Sequence, residues 1–540
     1  MKMALKNSSA FFWLSLLTCV CYFIVFIAPN RVGAKNIEMV AVFEPDESVP
    51  LPYVFDMIAP ADSVKQALIN FAFYEYYFYG FPYFAVSAVS LLPLVPLGLI
   101  NDISLVMVVL RQVISVLPML MTVLLLVYMT TGFKSYKSLV LTLLLLSIPA
   151  VVRNNFWWHP DSMVTLLSVL VIYFLNKDEL RFGSNFYIAA VMCGFSAGTK
   201  GIGFYFFLTI AVYLLLGFFI KKLSLWKLFL MGLGFIACMF AAYLFANPTL
   251  VYSGVRKDYF ALMERQSVEL YSGYWVLYPK GFLISLPDLT GYFGNGLFLL
   301  LALFACVHGI VKDKNRLLNI IIITWAIPLS VLVFWITNFK FQYWIPVALP
   351  LFSTMMAYLP DEVPDFRSLL KSPFSKNIGI ISQIVFSLAI VLQLSAFTVS
   401  DVQRYFSYLN KTQDKPALQF YDLAVDVLKP LPDTGIFVYR DVRMYFPRTA
   451  NWTTEAVFKP LDYDYIRSRD FEVLMVMQQR IYDYLTPGVQ GINPESFARS
   501  QLFYRDADTG DIEGYQLVFR NHFGLVFVRD DIYQEYFSQK

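Results

Sequence analysis

Charged side chains are scarce in this sequence. They make up 15% of its 540 residues, against 58% hydrophobic ones, where soluble domains carry about 25%. That deficit excludes the row of soluble domains the length alone would suggest and leaves a polytopic membrane protein. There are only five cysteines, Cys19, Cys21, Cys193, Cys238 and Cys306, all inside apolar runs. They form neither a disulfide framework nor a zinc-binding spacing. Histidine occurs three times, and the net charge is only +3 with no clustered basic face, which argues against a nucleic-acid partner. Glycine-rich nucleotide loops and H-E-x-x-H are missing, so an ATP-driven transporter or a zinc protease has no support.

The charge that exists is unevenly placed. Residues 400–540 hold 36 of the 81 charged side chains in 141 positions, about 26%, and the first 399 hold the rest. This predicts a membrane module, 1–399, followed by a soluble module, 400–540. A spanning helix needs about 20 apolar residues. Candidate runs lie near 9–29, 105–131, 138–153, 161–177, 186–199, 201–220, 228–246, 290–311, 318–337, 342–359 and 378–399, about 11 transmembrane helices. Basic clusters fall in every second connection: Lys2 and Lys6; Lys134 and Lys137; Lys177 and Arg181; Lys221, Lys222 and Lys227; Lys312, Lys314 and Arg316; Arg367, Lys371 and Lys376. By the positive-inside rule that side is cytoplasmic. The N-terminus is then inside, with the first run as a retained anchor, and the C-terminal module is extracytoplasmic.

The resulting outer loops are 30–104, 154–160 and 247–289. Within the first, the proline-interrupted run 79–100 reads as an interfacial helix and not as a span. The soluble module reads as a small α/β unit with a helix near 416–429, strands near 434–440 and 471–477, and a hairpin near 514–529. An exported module without cysteine fits a bacterial inner (plasma) membrane protein.

Candidate chemistry concentrates at the outer helix ends. Glu44, Asp46 and Glu47 follow the first span, with Pro45 fixing the backbone between the first two acids. A carboxylate held at the lipid interface can take the proton of an acceptor hydroxyl. The bland reading is a solvated loop start. In "WWHPD", Trp157 and Trp158 read as an interfacial anchor, Asp161 as a helix cap or an orienting carboxylate, and His159 as a headgroup neighbour or a metal or phosphate contact. Lys200 stands between two apolar runs, where an insertion cost of about 2.5–3.5 kcal/mol makes a lysine functional by default. The alternative is snorkelling. Gly198, Gly201 and Gly203 permit a tight hairpin there. Arg111 is a second cation near the outer end of its run. Lys200 and Arg111 could both face a lipid phosphate. Two D-x-D pairs, Asp462–Asp464 and Asp506–Asp508, read as surface charge.

The order of these elements carries a resemblance. "PDE" in the first outer loop, "PD" opening the fourth run, and "G…GTKG" after it resemble the GT-C glycosyltransferases, and within them the protein O-mannosyltransferase and lipid A aminoarabinose transferase superfamily. "NPTLVYSGVRKDYF" and "KFQYWIPVALP" extend the similarity over roughly 9–360. It implies a GT-C-like fold and a polyprenyl-phosphate-linked sugar donor used on the outer membrane face. It implies Asp46 as catalytic base with Glu47 adjacent, Asp161 at the second acidic position, and Lys200 and Arg111 at the donor phosphate. The chain departs from the family at His159, where many relatives carry Arg or Leu, and at Gln342–Tyr343, where "RY" is common. Both departures leave the sugar and the acceptor open.

The reaction so implied is an inverting single displacement onto a hydroxyl of an envelope glycan, lipid or protein. It requires no cofactor, and if a divalent metal binds, Glu47 and His159 are its candidate ligands. A transporter, flippase or polymerase of envelope glycolipids is the competing reading. Such proteins tend to place their unusual charges near the bilayer midplane, not at outer helix ends.

Overall fold

The computed structural model describes residues 2–361, 377–413, 415–447 and 452–538. Arg367, Lys371 and Lys376 lie outside the described residues, as do the side chains of Lys2 and Lys6. All eleven apolar runs are helical. Among the described residues, six helices are individually long and apolar enough to cross a membrane, or seven if the pair Phe282–Phe293 and Gly296–Val311, bent by 85°, is one span. The expected eleven full spans therefore do not appear as eleven long helices, and the sequence shows why. Pro149 ends the run 138–153 by breaking it into Lys137–Leu146 and Pro149–Asn154. Pro346 and Pro350 lie inside Phe341–Ser353. The helix Asp161–Asp178 carries charge at both ends and packs inside the bundle, against Ser184–Thr199 and Leu117–Thr131.

The first outer loop is itself folded. It contains the short helices Ile37–Phe43, Pro45–Ser48, Leu51–Met57 and Val64–Ala72. The run 79–100 forms a helix of 11 residues, Phe81–Leu91, and a 3-10 turn, Leu92–Leu94. At about 1.5 Å per residue this is too short to cross the ~30 Å core. Val86, Val89 and Leu92 are exposed along one side of it, as an interfacial element requires. Its start is pressed onto the end of Ser184–Thr199: the Gly80 N–H donates to the Thr199 carbonyl (2.9 Å), and a Cβ on Gly80 would stand 1.5 Å from the Gly198 oxygen. Gly194 and Gly198 form the opposite contact. Cβ atoms there would meet the Met239 carbonyl and Ala246, so these glycines let Ser184–Thr199 lie close against Leu225–Phe245.

The helix Asn377–Leu409 runs unbroken past residue 400. Beyond it stands a five-stranded sheet of order β2-β1-β3-β5-β4, with β1 Phe437–Asp441, β2 Thr453–Val457, β3 Val473–Met477, β4 Tyr515–Arg520 and β5 Gly524–Arg529. β2, β1 and β3 are parallel, and β5 and β4 add antiparallel pairs. The period-2 alternation of strands divides β3 and β5 between two cores. Leu474, Val476, Leu525 and Phe527 pack beneath Pro494–Thr509, while Val473, Met475, Val526 and Val528 pack against Pro416–Leu428. β2 was not legible in the sequence because its TTEAV is a polar edge strand with no buried residue.

The two parts touch directly. The Leu277 N–H donates to the Gln490 carbonyl (2.8 Å) and the Ile492 N–H to the Trp275 carbonyl (3.2 Å). Asn36 Nδ2 donates to the Tyr445 hydroxyl at 3.3 Å.

Candidate active site

Asn36 starts the acidic segment by capping Ile37–Phe43, its Oδ1 accepting the Met39 N–H at 2.9 Å. That helix stops at Glu44, and Pro45 opens the next turn, Pro45–Ser48, where its missing N–H costs nothing. Neighbouring residues in a helix point about 100° apart. Asp46 is accordingly exposed, and Glu47 turns inward and is completely buried.

Glu47 and Arg111 close on each other. Arg111 donates from Nε to Oε1 at 2.8 Å and from Nη2 to Oε2, and from Nη1 to the Asn30 carbonyl at 2.7 Å. Glu47 Oε1 also accepts the Trp158 N–H at 2.6 Å. Arg111 begins a π-helical turn, Arg111–Val116, inside an otherwise α-helical stretch. Pro118 just beyond it lacks the N–H that an α-helix would offer to Ile114. Arg111 is thus fully buried and held by Glu47 and Asn30, and Glu47 ties the first outer loop to the bundle. The reading of Trp158 as an interfacial anchor is corrected: it is fully buried, its ring stacked on Tyr83 and its Nε1 donating to Ser87 Oγ (3.0 Å).

Asp161 and Lys200 meet, with Lys200 Nζ donating to Asp161 Oδ1 at 2.8 Å. The helix Ser184–Thr199 ends just before Lys200, which is extended, and a 3-10 turn Gly201–Phe207 follows. The other Asp161 oxygen pairs with His159 Nδ1, and His159 Nε2 bonds the Tyr79 hydroxyl at 2.7 Å. Burial pushes His159 below its ordinary pKa, against the Asp161 charge that raises it. A neutral ring with the proton on Nδ1 fits both contacts. Lys200 retains two of its three donors, and its Nζ lies 4.6 Å from the centre of the Tyr343 ring.

On the same side of the molecule is a cavity of about 340 Å³. Glu44, Asp46 and Asp288 line it, and so do Arg153, Lys340 and Arg443. Lys340 Nζ stands 5.7 Å from the centre of the Tyr343 ring, so two lysines lie close to one aromatic ring. The sequence reading missed the three cations. Lys340 had a visible signal, as a lone charge before an apolar helix within "KFQYWIPVALP", and Arg153 lay next to the "WWHPD" loop. Arg443 had none, since it comes from a domain rich in charge. Burial, reinforced by the Glu47 carboxylate, pushes Glu44 up to about 7. Burial and then the Arg111 charge bring Lys411 down to about 7.

The candidate metal ligands Glu47 and His159 have partners within the protein. Glu47 is filled by Arg111 and the Trp158 N–H, and both His159 nitrogens are bonded. Among the described residues no cluster of three His, Cys, Asp or Glu is placed to hold a metal. The D-x-D pairs have structural roles: Asp462 caps Tyr463–Arg469, and Asp506 accepts the Tyr463 hydroxyl at 2.5 Å.

No family model and no curated protein matches the chain. Solved structures do. The structure of ArnT from Cupriavidus metallidurans bound to undecaprenyl phosphate aligns over 95% of this chain and 97% of its own, with a TM-score of 0.54 and 13% identity. The apo structure of the same protein gives 0.53 and 14%, with the same coverage. This chain therefore has the ArnT fold, a GT-C fold, in an integral membrane protein.

Proposed function

We propose that the protein is a membrane glycosyltransferase that moves a sugar from a polyprenyl-phosphate donor to an acceptor hydroxyl on the outer membrane face. The observation that carries this reading is the charged lining of the 340 Å³ cavity, where Asp46, Glu44 and Asp288 meet Arg153, Lys340 and Arg443. The similar ArnT structure bound to undecaprenyl phosphate supports a lipid-phosphate donor. A polyprenyl chain cannot leave the bilayer, because each buried CH₂ is worth roughly 0.8 kcal/mol. The reacting groups must then wait at headgroup level.

In this reading Asp46 takes the proton of the acceptor hydroxyl. The acceptor oxygen attacks the sugar C1, and the bond from C1 to the phosphate oxygen breaks with its electron pair leaving on the phosphate. One displacement inverts C1. Lys340 and Lys200 take up the charge that develops on the leaving phosphate. Asp161 holds Lys200 in place, and no metal is needed for the step. The N-terminus is cytoplasmic and the C-terminal domain extracytoplasmic.

Purified Asp46→Asn tests this directly. Transfer is lost, while the protein stays folded and still carries donor lipid in native mass spectra. An Asp46→Asn protein with full turnover would sink the assignment of the base.

A further inference from the structure

The parallel part of the C-terminal sheet has a switch point. The chain runs from β1 to β2 on one side and then crosses to β3 on the other. In open parallel sheets, the crevice beyond the C-terminal strand ends at such a point is where ligands bind. Asp441 closes β1 there. It is buried, accepts the Met477 N–H at the end of β3 (2.8 Å) and lies 3.5 Å from Arg480 Nε. Arg480 in turn donates to the Phe458 carbonyl at 2.8 Å, with its guanidinium 5.0 Å from the centre of the Phe458 ring. Phe458, just past β2, is thus fixed in position although 47% exposed.

A second exposed ring faces it. Tyr274 is 38% exposed and stands at 90° to Phe458, with centres 6.1 Å apart. It belongs to the segment that hydrogen-bonds to residues 490–492, and it follows Gly273, whose φ of +113° excludes most other residues. Lys340 Nζ donates to the Tyr274 hydroxyl at 3.4 Å, and Lys340 is a wall of the cavity that holds Asp46. Phe458, Tyr274 and Lys340 therefore make one continuous path to Asp46.

Fixed aromatic rings lose little freedom on binding. Their faces match the C–H faces of pyranose rings, and flanking cations can donate to hydroxyl oxygens, as Arg480 and Lys340 can here. We infer that Tyr274 and Phe458 form an acceptor subsite for a saccharide, so that the hydroxyl attacked belongs to a glycan. This rests on the transferase reading of the cavity.

The test uses the full chain in lipid nanodiscs and fluorescently labelled oligosaccharides released by mild acid from the envelope of the native cells. Anisotropy reports binding, native mass spectrometry reports donor lipid, and melting temperature reports folding. Wild type and Asp46→Asn bind the oligosaccharides. Tyr274→Ala and Phe458→Ala weaken binding by about tenfold or more with donor lipid retained, and Tyr274→Phe keeps most of the affinity. Both rings are partly exposed, so Tyr274→Ala supplies the result even if Phe458→Ala fails to fold. Equal binding by all variants overturns the subsite. So does a wild type that holds donor lipid but binds no oligosaccharide, which would point to a protein or lipid hydroxyl as acceptor. Failure of the transferase reading shows separately, as a wild type that carries no donor lipid in native mass spectra and transfers no sugar.

Discussion

Arg111 grips Glu47 at both carboxylate oxygens, and neither side chain is exposed. The residue before Glu47 points the other way, into a polar cavity. Two neighbouring acids of one short helix thus meet different surroundings, Glu47 the packed bundle and Asp46 the cavity. Removing one partner of a buried ion pair costs about 3–5 kcal/mol, because the other charge is left unpaired. Glu47→Ala is expected to lower stability by that amount, and Asp46→Asn to leave it nearly unchanged. Replacing both members, Glu47→Leu with Arg111→Met, recovers much of the loss. Melting temperatures in one detergent decide this, and a stable but inactive Glu47→Ala protein would move Glu47 into the chemistry.

Lys340 and Lys200 flank Tyr343 from two different elements. If both take up phosphate charge, Lys340→Ala is expected to lower kcat by about a hundredfold, the usual effect of deleting one such donor. Lys200→Ala is expected to lose co-purified polyprenyl phosphate in native mass spectra. A Lys200→Ala protein with its lipid unchanged would reduce that lysine to a partner of Asp161.

Gly80 tests how the interfacial helix is seated. Alanine there would collide with the Gly198 carbonyl, and overpacking of this kind costs about 1–3 kcal/mol. Because Tyr79 bonds His159, Gly80→Ala is also expected to reduce activity. Gly201 has nothing within 4 Å of a Cβ, so Gly201→Ala is the neutral control. Equal melting temperatures for the two would contradict the close contact.

Glu44 gives the structure a pH dependence. Its pKa rises from 4.5 to about 7 on folding, first through burial and then through Glu47. An acid raised in this way binds its proton more tightly in the folded chain. Its contribution is whole below pH 4.5 and is lost as pH rises through about 7. Glu44→Gln, which cannot ionise, is expected to flatten the fall in melting temperature between about pH 5 and 7. An unchanged slope would remove Glu44 as its source.

Composition and apolar runs were enough to give the sequence a helical membrane module and a small α/β domain. The reason is physical: a bilayer demands long apolar helices, and strands alternate with period 2, so both leave one-dimensional patterns. The acids at 44–47, Asp161 and Lys200 were legible for a related reason, as charges that interrupt such patterns. Partnership was not legible. Whether Arg111 would meet a phosphate or Glu47 depends on residues 64 positions apart in the chain. The order PDE cannot reveal which acid turns inward, because a helical turn separates them by direction and not by sequence. The cavity itself gathers Glu44, Arg153, Lys340 and Arg443 from four distant segments. Only the folded chain brings them together, since the packing of the helices and the seating of the sheet on the outer loops fix those distances.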